Sequence, residues 1–302
     1  MIKIMSFNVR SDHTWDYNNN PPISKTWVNY FSEIVNMNKP DIIFLQEVNT
    51  EEDALSVICN TLGADWNFKD TSVYSKCRNK NLNNAVLYND KITCIDITNR
   101  YSSEEFQNIN NNLQILEFSI AERIIIGVNV HLKSEKRNMN KNGEHGEEVR
   151  KICNLLVKLQ EDYPLTEIFA IGDYNFSNDF LLDIIKNELG MADYFLDEDD
   201  ELIAIETNGK GVQTTVTGEG FMGNAMDHFL CNAIMKNNVK KQNYNNSVPE
   251  EPWSVNCGVL HVVNPNNPPN VPDIKIGNLR IIPATQYYQE ISDHYPITVH
   301  IL

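Results

Sequence analysis

Polar side chains that can bind a metal ion or a phosphate group recur in this chain directly after short apolar runs. The run 2–7 leads into Asn8, and the run 41–46 leads into Glu47. Such groups, placed where buried strands reach the surface, indicate an active site. The groups beside predicted strands are Asn8, Glu47, His131, Asp173, Asn175, Asp227, Asp293 and His294.

Glu47 is a carboxylate that needs a partner. It ends the apolar run 41–46 with no obvious local cation, and a buried unpaired charge costs several kcal/mol. A salt bridge or a solvent-exposed strand end would remove that cost. A divalent cation would also remove it, since magnesium prefers one or two carboxylates together with water and substrate oxygens.

Asp173 and Asn175 stand in the sequence Gly-Asp-Tyr-Asn, which follows the apolar strand 167–172. The glycine permits a close approach of the backbone to a ligand. The same four residues also make a common turn, so this segment alone does not decide between a binding site and a chain reversal.

The histidines of the group are individually ambiguous. Asp293 precedes His294, and an aspartate can orient or charge an imidazole that titrates near neutral pH. His131 follows Val-Asn-Val and could be a strand histidine with satisfied hydrogen bonds. Asp227, followed by His228, allows the same two interpretations.

The elements that must position these groups follow from the apolar periodicity of the chain. Apolar residues at three- and four-residue intervals predict helices, and β-branched or continuous apolar runs bounded by turns predict strands. Strands outnumber helices and helices fall between strands, which favours stacked sheets with helices outside. The predicted strands are 3–8, 41–47, 84–88, 92–97, 113–120, 123–131, 167–172, 226–231, 279–283 and 296–302, and the predicted helices are about 24–39, 52–62, 147–160 and 180–188.

The charge of the chain limits its partners. A net charge of −16 argues against a strongly basic nucleic-acid cradle, because neutralising many phosphates requires an excess of lysine and arginine. It leaves room for an enzyme that reaches phosphate through a divalent cation, since the cation supplies the positive charge.

The cysteines and the N-terminus predict the compartment. The six cysteines are scattered without a C-x-x-C pair, so we expect reduced thiols. The first residues lack the apolar stretch of a signal peptide, and no run approaches the roughly 20 apolar residues of a membrane span. We therefore expect an intracellular, cytoplasmic or nuclear monomer with no obvious protein partner.

The domain organisation is predicted to be simple. The chain, residues 1–302, forms one domain in which the segment of about 243–273 is an irregular insertion. This segment holds six prolines and few periodic residues, and long irregular loops in compact domains are usually functional or mobile.

Taken together, six segments resemble the endonuclease/exonuclease/phosphatase family. The resemblance implies a four-layered α/β sandwich, in which two mixed β-sheets stack face to face with helices packed on the outside. It also implies a magnesium-dependent hydrolase of phosphate esters, in which manganese can substitute. The matching segments are 6–10, 41–47, 129–134, 171–175, 226–230 and 292–296, and they span nearly the whole chain.

The resemblance also implies roles for metal ligands and for the attacking water. Glu47 would be the main metal ligand, Asn8 would lie beside it, and Asp293 would be close to a second metal position. Asp173 would orient and deprotonate the attacking water, and Asp293 is also expected among the catalytic residues. Such roles suit an in-line attack, which needs a positioned water and a cation.

The remaining implied roles concern the phosphate. His131 and Asn175 would hold phosphate oxygens, and His294 would stabilise negative charge in the transition state. Asp227 would support that network. Arg150 resembles a recurrent substrate-binding arginine of the family, although a surface salt bridge explains it equally well.

The expected function is therefore phosphodiester hydrolysis in nucleic acid, of the endonuclease, exonuclease or tyrosyl-DNA phosphodiesterase type. One alternative is a phosphatase or phosphodiesterase acting on inositol phosphates or sphingomyelin. The other is a catalytically silent binding module, against which the intact acidic and histidine positions speak.

Overall fold

The computed structural model describes most of the 302-residue chain. The described residues are 1–10, 23–49, 52–70, 82–101, 113–132, 143–175, 178–195, 226–236, 238–240, 254–255, 259–262, 273–276, 280–283 and 296–301.

The described elements alternate between strands and helices along the chain. The strands are β1 (Ile2–Asn8), β2 (Ile42–Asn49), β3 (Trp66–Asp70), β4 (Leu82–Asn89), β5 (Ile92–Asp96), β6 (Gln114–Ile120), β7 (Arg123–His131), β8 (Glu167–Asp173), β9 (Asp227–Cys231), β10 (Val239–Lys240), β11 (Ser254–Val255), β12 (Val259–Val262), β13 (Asp273–Ile276), β14 (Arg280–Pro283) and β15 (Ile297–Ile301). The helices are α1 (Lys25–Asn38), α2 (Glu52–Leu62), α3 (Glu144–Asp162), α4 (Asn178–Asp183), α5 (Ala192–Phe195) and α6 (Ala233–Lys236), with a 3-10 turn at Thr98–Tyr101 and a π turn at Ile184–Glu188.

Two mixed sheets form the body of the molecule. The first sheet has the order β10-β15-β1-β2-β4-β3, and the second has the order β5-β6-β7-β8-β9. Within the first sheet β1 and β2 run parallel, and within the second β7 and β8 run parallel. Their other neighbouring strands are antiparallel. The carboxyl ends of the two parallel pairs carry the polar residues singled out from the sequence.

Apolar side chains divide into three clusters that define four layers. One cluster joins α1 and α2 to the outer face of the first sheet, and a second joins α3 and α4 to the outer face of the second sheet. The third fills the space between the sheets, where its largest members are Phe44, Phe118, Phe169 and Phe229. The predicted four-layered α/β sandwich is confirmed.

The layers follow from local sequence features. β2 and β8 read as continuous apolar runs because each is covered on both faces. In α1, Ser24 caps the first turn by accepting a hydrogen bond from Trp27 N–H at 3.3 Å. Trp27 then stacks on Phe31, four residues later, with 4.9 Å between ring centroids. The helix ends at Lys39, which precedes Pro40 and has a left-handed φ of 47°.

Gly127 in β7 lets the two sheets approach each other. A β-carbon at this position would lie 2.7 Å from Cζ of Phe169 and 2.8 Å from Cζ of Phe44. The aromatic rings of both sheets therefore occupy the volume that a side chain would fill.

Of the segment of about 243–273, the structure describes β11, β12 and the first residue of β13, and the irregular insertion stays a prediction. β11 pairs with β12, β12 with β13, and β13 with β14, in a four-stranded antiparallel sheet, the third sheet. Strands of two to four residues are too short to show an alternation of apolar and polar positions, which is why the sequence did not indicate them. The predicted strand 279–283 is confirmed as β14.

The helices show smaller differences from prediction. The predicted helix 147–160 is longer, as α3, and the predicted helix 180–188 is α4 followed by the π turn. That turn is closed by Leu189 N–H, which donates to the carbonyl of Ile184 at 3.0 Å. None of the described helices is both long and apolar enough to cross a membrane.

The four described cysteines, Cys59, Cys94, Cys153 and Cys231, are buried thiols outside any described disulfide, as the scattered spacing predicted. Burial raises the pKa of the Cys59, Cys94 and Cys153 thiols to about 12. These thiols are therefore protonated near neutral pH, which suits a packing role. Cys77 and Cys257 lie outside the described residues.

Candidate active site

Three polar residues form a row across the second sheet. His131 at the end of β7 is the lateral neighbour of Asp173 on β8, and Asp173 is the lateral neighbour of Asp227 on β9. Laterally paired side chains lie on the same face of a sheet. Phe169 and Phe229 precede and follow these aspartates at even spacing and lie in the core between the sheets. The row therefore faces the first sheet.

Asn8 at the end of β1 connects this row to the first sheet. Its Nδ2 donates to Asp173 Oδ2 at 2.9 Å and to Glu47 Oε1 at 3.2 Å. Its Oδ1 accepts a hydrogen bond from Arg10 N–H at 3.0 Å. One buried amide thus lies between two carboxylates that come from different sheets.

A β-bulge directs Glu47 towards the row. The ladder between β2 and β4 pairs Leu45 with Ala85 and next pairs Val48 with Asn83, so two residues of β2 oppose one of β4. Glu47 occupies this bulge with a φ of 53°, in the left-handed region. Such a conformation costs about 1–3 kcal/mol in a residue other than glycine and persists only where its surroundings hold it.

His131 reaches Glu47 from the opposite sheet. Its Nε2 lies 3.5 Å from Glu47 Oε1, and their side chains keep 15% and 31% of their surface exposed. The sequence left a salt bridge, an exposed strand end or a divalent cation open for Glu47. The structure shows the Glu47 carboxylate in contact with the His131 imidazole. The Glu47 carboxylate remains the more accessible of the two site carboxylates, because Asp173 is only 1% exposed.

Asn175 holds the Asp173 carboxylate from the loop that follows β8. Its backbone N–H donates to Asp173 Oδ1 at 2.7 Å, and its Nδ2 donates to Asp173 Oδ2 at 3.1 Å. The same Nδ2 donates to the carbonyl of Leu132 at 2.8 Å. With the amide of Asn8, Asp173 accepts three N–H groups, which fix the orientation of its carboxylate.

Gly172 makes this turn possible. Its φ is 142°, and a β-carbon would lie 2.0 Å from the carbonyl oxygen of Val130 on β7. Both the conformation and the contact exclude a side chain. The close approach of backbones between β7 and β8 is therefore built into the Gly-Asp-Tyr-Asn segment.

Tyr174 and His228 lie on the other face of the second sheet. Tyr174 is fully buried, and its ring meets the His228 ring edge-on with centroids 5.5 Å apart. Burial raises the pKa of Tyr174 well above its ordinary value. The ambiguity of the Asp-His pair is thus resolved by orientation: Asp227 faces the site, and His228 packs against a tyrosine.

The other predicted residues have different placements. Arg150 on α3 pairs with Glu188, with Nε 2.9 Å from Oε2, so it makes the surface salt bridge that the sequence allowed. Its predicted substrate contact stays a prediction. Asp293 and His294 lie outside the described residues, so their roles stay predictions as well.

Sequence reasoning missed Gln46 and Asn129, which lie directly behind the site and are completely buried. The available signal was an amide side chain inside an apolar run, because such a residue must find hydrogen-bond partners. Leu132 was also missed, since it acts through its backbone: its carbonyl accepts from Asn175 Nδ2, and its N–H donates to the Asp173 carbonyl at 2.9 Å.

Solved structures that are similar to this one include the following three. An endonuclease/exonuclease/phosphatase family protein from Leptotrichia buccalis C-1013-b is 16% identical, with a TM-score of 0.54 and coverage of 100% of both chains. D. rerio TDP2 in complex with single-strand DNA product is 12% identical, with a TM-score of 0.52 and coverage of 99% of this chain and 97% of that one. The human nocturnin catalytic domain with bound sulfate is 14% identical, with a TM-score of 0.53 and coverage of 99% and 93%.

The chain has the endonuclease/exonuclease/phosphatase fold. The sequence matches no protein-family model and no curated protein.

On this endonuclease/exonuclease/phosphatase fold, the donor set suits a hard divalent cation. Magnesium takes oxygen ligands, uses one or two carboxylates, and keeps several waters. Glu47 offers a partly exposed carboxylate, and Asn8 has an amide oxygen that at present accepts a hydrogen bond from Arg10 N–H while its Nδ2 faces Glu47. The described residues contain no cluster of three or more histidine, cysteine, aspartate or glutamate side chains placed as metal ligands. A magnesium ion that retains water does not need such a cluster.

Proposed function

We propose that this chain is a magnesium-dependent phosphodiesterase that hydrolyses phosphate esters in nucleic acid. The observation that carries the proposal is the pair of carboxylates bridged by Asn8. Asp173 is buried and held by three N–H donors, and Glu47 is partly exposed beside His131. Two carboxylates in such different surroundings suit two different tasks.

Glu47 and Asn8 would hold the magnesium ion, with Asn8 using its Oδ1. The bound ion supplies Lewis-acid chemistry, because it offsets negative charge on the phosphate. Asp293 would lie close to a second metal position, as the family resemblance implies.

Asp173 would orient the attacking water and accept its proton at a carboxylate oxygen. The three N–H donors hold this carboxylate in one orientation, which a general base needs in order to place the water in line with the scissile bond. Asp227, its lateral neighbour, would support the same row. Asn175 acts through Asp173 in this structure, and its predicted contact with a phosphate oxygen is part of the proposal.

His131 would bind a phosphate oxygen through Nε2, the atom now directed at Glu47. His294 would hydrogen-bond the phosphate and stabilise the charge that develops in the transition state. Arg150 would require release from Glu188 before it could contact substrate.

Nucleic acid is the substrate class that the similar structures favour. One of them was solved with single-strand DNA product and another with a sulfate anion. A protein with a net charge of −16 repels a polyanion, so a cation would be needed to bring nucleic acid to the site.

A substrate panel tests the proposal. The purified protein is incubated with magnesium and plasmid DNA, single-stranded oligonucleotide, 5′-tyrosyl oligonucleotide, inositol polyphosphate or sphingomyelin, with Asp173→Asn as the matched control. We expect magnesium-dependent cleavage of a nucleic-acid substrate by the wild type alone. Preferential turnover of inositol polyphosphate or sphingomyelin would show that nucleic acid is not the substrate class. Absence of turnover with every ester would contradict the proposal that the chain is an enzyme.

A further inference from the structure

A layer of buried polar side chains separates the apolar core from the candidate active site. Its members, each at most 1% exposed, are Ser6, Gln46, Asn84, Gln114 and Asn129, which we name the polar layer. Ser6 precedes Asn8 by two residues on β1, and Asn129 precedes His131 by two residues on β7. Residues two apart on a strand face the same side. The polar layer therefore lies directly beneath the site residues, between them and the apolar core.

Asn129 is the member with contacts to the most strands. Its Nδ2 donates to the carbonyls of Leu45 and Ala85, each at 3.2 Å, and lies 3.4 Å from Gln114 Oε1. Its Oδ1 accepts a hydrogen bond from Gln46 Nε2 at 2.7 Å. A side chain of the second sheet thus binds main-chain atoms of two strands of the first sheet.

These carbonyls belong to a particular place in the first sheet. Leu45 and Ala85 form the last regular pair of the β2–β4 ladder before the bulge that contains Gln46 and Glu47. Gln46 is held in turn by Ser6 Oγ at 3.0 Å, which ties the bulge to β1. The contacts of Asn129 therefore fix the backbone from which the left-handed Glu47 projects.

We propose that Asn129 is a positioning residue that sets the spacing between Glu47 and His131. It holds the Glu47 bulge through hydrogen bonds, and it carries His131 on its own strand. The contact of 3.5 Å between Glu47 and His131 thus spans two sheets whose separation is set by one amide directly beneath it. This inference rests on the proposed function only in assigning Glu47 to the metal ion and His131 to the phosphate.

Apolar residues would fill the same volume without the need for hydrogen bonds. A buried polar group specifies a single arrangement where its hydrogen bonds are made, as they are for both Nδ2 and Oδ1 of Asn129. Groups that orient metal ligands from behind typically change metal affinity or activity about 10- to 100-fold when they are replaced. If Asn129 served folding alone, its replacement would change the stability of the protein and leave metal affinity and activity unchanged.

The test compares Asn129→Ala with Asn232→Ala. Asn232 is also a buried amide, 2% exposed, but it follows β9 at the end opposite Asp227 and bonds to main-chain atoms of Ile168 and Thr166, so it is the matched control. Five quantities are measured for each: Tm, kcat and KM for bis-para-nitrophenyl phosphate, the Kd for Mn²⁺ by calorimetry, and the distance between Glu47 Oε1 and His131 Nε2 in a crystal structure. Kinetics are recorded at a temperature at which every variant is folded.

For Asn129→Ala we expect kcat to fall and the Kd for Mn²⁺ to rise, each about 10- to 100-fold, with KM little changed. We also expect a longer distance between Glu47 and His131. Asn232→Ala should lower Tm and leave the other four quantities near those of the wild type. A folded Asn129→Ala protein that keeps the wild-type distance and Mn²⁺ affinity would overturn the inference, whatever its Tm.

Two further outcomes keep the inference separate from the proposed function. If the wild type hydrolyses no diester, the proposed function fails, and the Mn²⁺ affinity and the crystallographic distance still decide the role of Asn129. If the wild type also binds no Mn²⁺, the distance decides alone. Should Asn129→Ala fail to fold, Asn129→Ser, which keeps one hydrogen-bond donor, is measured in the same way.

Discussion

Asn8 and Asp173 are 165 residues apart in the sequence and share a buried hydrogen bond of 2.9 Å. This bond joins the end of β1 in the first sheet to the end of β8 in the second. The candidate active site is therefore a property of the stacked sheets, since neither sheet holds all of its described residues.

Removal of divalent cations should abolish activity. Glu47 and Asp173 place two carboxylates where the proposed phosphate would bind, and without a cation they would repel it. We expect excess chelator to stop turnover and added magnesium or manganese to restore it, as followed by release of para-nitrophenolate. Full activity in excess chelator would refute the metal mechanism.

Replacement of Asp173 should impair the chemical step. Asp173→Asn keeps the shape of the side chain but cannot accept a proton, so we expect kcat to fall at least about a hundredfold with little change in KM. Asp90→Asn, in the exposed turn between β4 and β5, is the control and should behave like wild type. A near-normal kcat for Asp173→Asn would assign the base to another residue.

His294 should contribute to transition-state stabilisation rather than to the fold. If it donates to the phosphate, His294→Ala should lower kcat by about 10²–10³, equivalent to about 2.7–4 kcal/mol. The circular dichroism spectrum should match that of the wild type. An unfolded variant would show that the histidine is structural and that the predicted role is wrong.

Gly172 should tolerate substitution less well than Gly63, although both have a left-handed φ, of 142° and 132°. A β-carbon at Gly63 meets nothing within 4 Å, so Gly63→Ala should cost about 1–3 kcal/mol from backbone conformation alone. Gly172→Ala must also displace the Val130 carbonyl, which adds about 1–3 kcal/mol. Urea denaturation compares the two free energies of unfolding, and equal losses would rule out the overlap.

Burial of Cys153 should make the protein less stable at high pH. Its pKa is about 12 in the folded chain, above the value of about 8.5 for an unfolded thiol. Its stabilising contribution is complete below the unfolded pKa and is lost as the pH rises towards the folded pKa. The difference in unfolding free energy between wild type and Cys153→Ala should shrink by about 1.4 kcal/mol per pH unit from pH 9 to 12. A constant difference would contradict this.

The sequence predicted the strands of the sandwich well where burial is continuous. β2 and β8 are covered on both faces, so their apolar runs identify them, and the polar residue that ends each run identifies the rim of the site. β3 was missed because its residues alternate between half-buried and exposed positions, with no apolar run to mark them. The pattern of apolar residues in the sequence reflects burial, so a strand that is only partly buried, such as β3, is hard to recognise from it.

The contacts of the site could not be read from the sequence. The bulge at Glu47 depends on how β2 pairs with β4, and the bridging position of Asn8 depends on a strand far along the chain. Asn129 interrupts an apolar run in the sequence, and nothing in the sequence indicates which carbonyls it binds. Such contacts arise from long-range packing, which periodicity does not encode.

Gly127 shows how packing between the two sheets limits the substitutions that the protein can tolerate. A methyl group there would overlap the far ends of the Phe44 and Phe169 rings, so either the rings shift or the gap between the sheets widens. A wider gap would pull Asn8 away from Asp173, although Gly127 contacts neither. In that case a substitution well inside the core would disturb the candidate site from a distance, and a screen for lost activity would find it among the site residues.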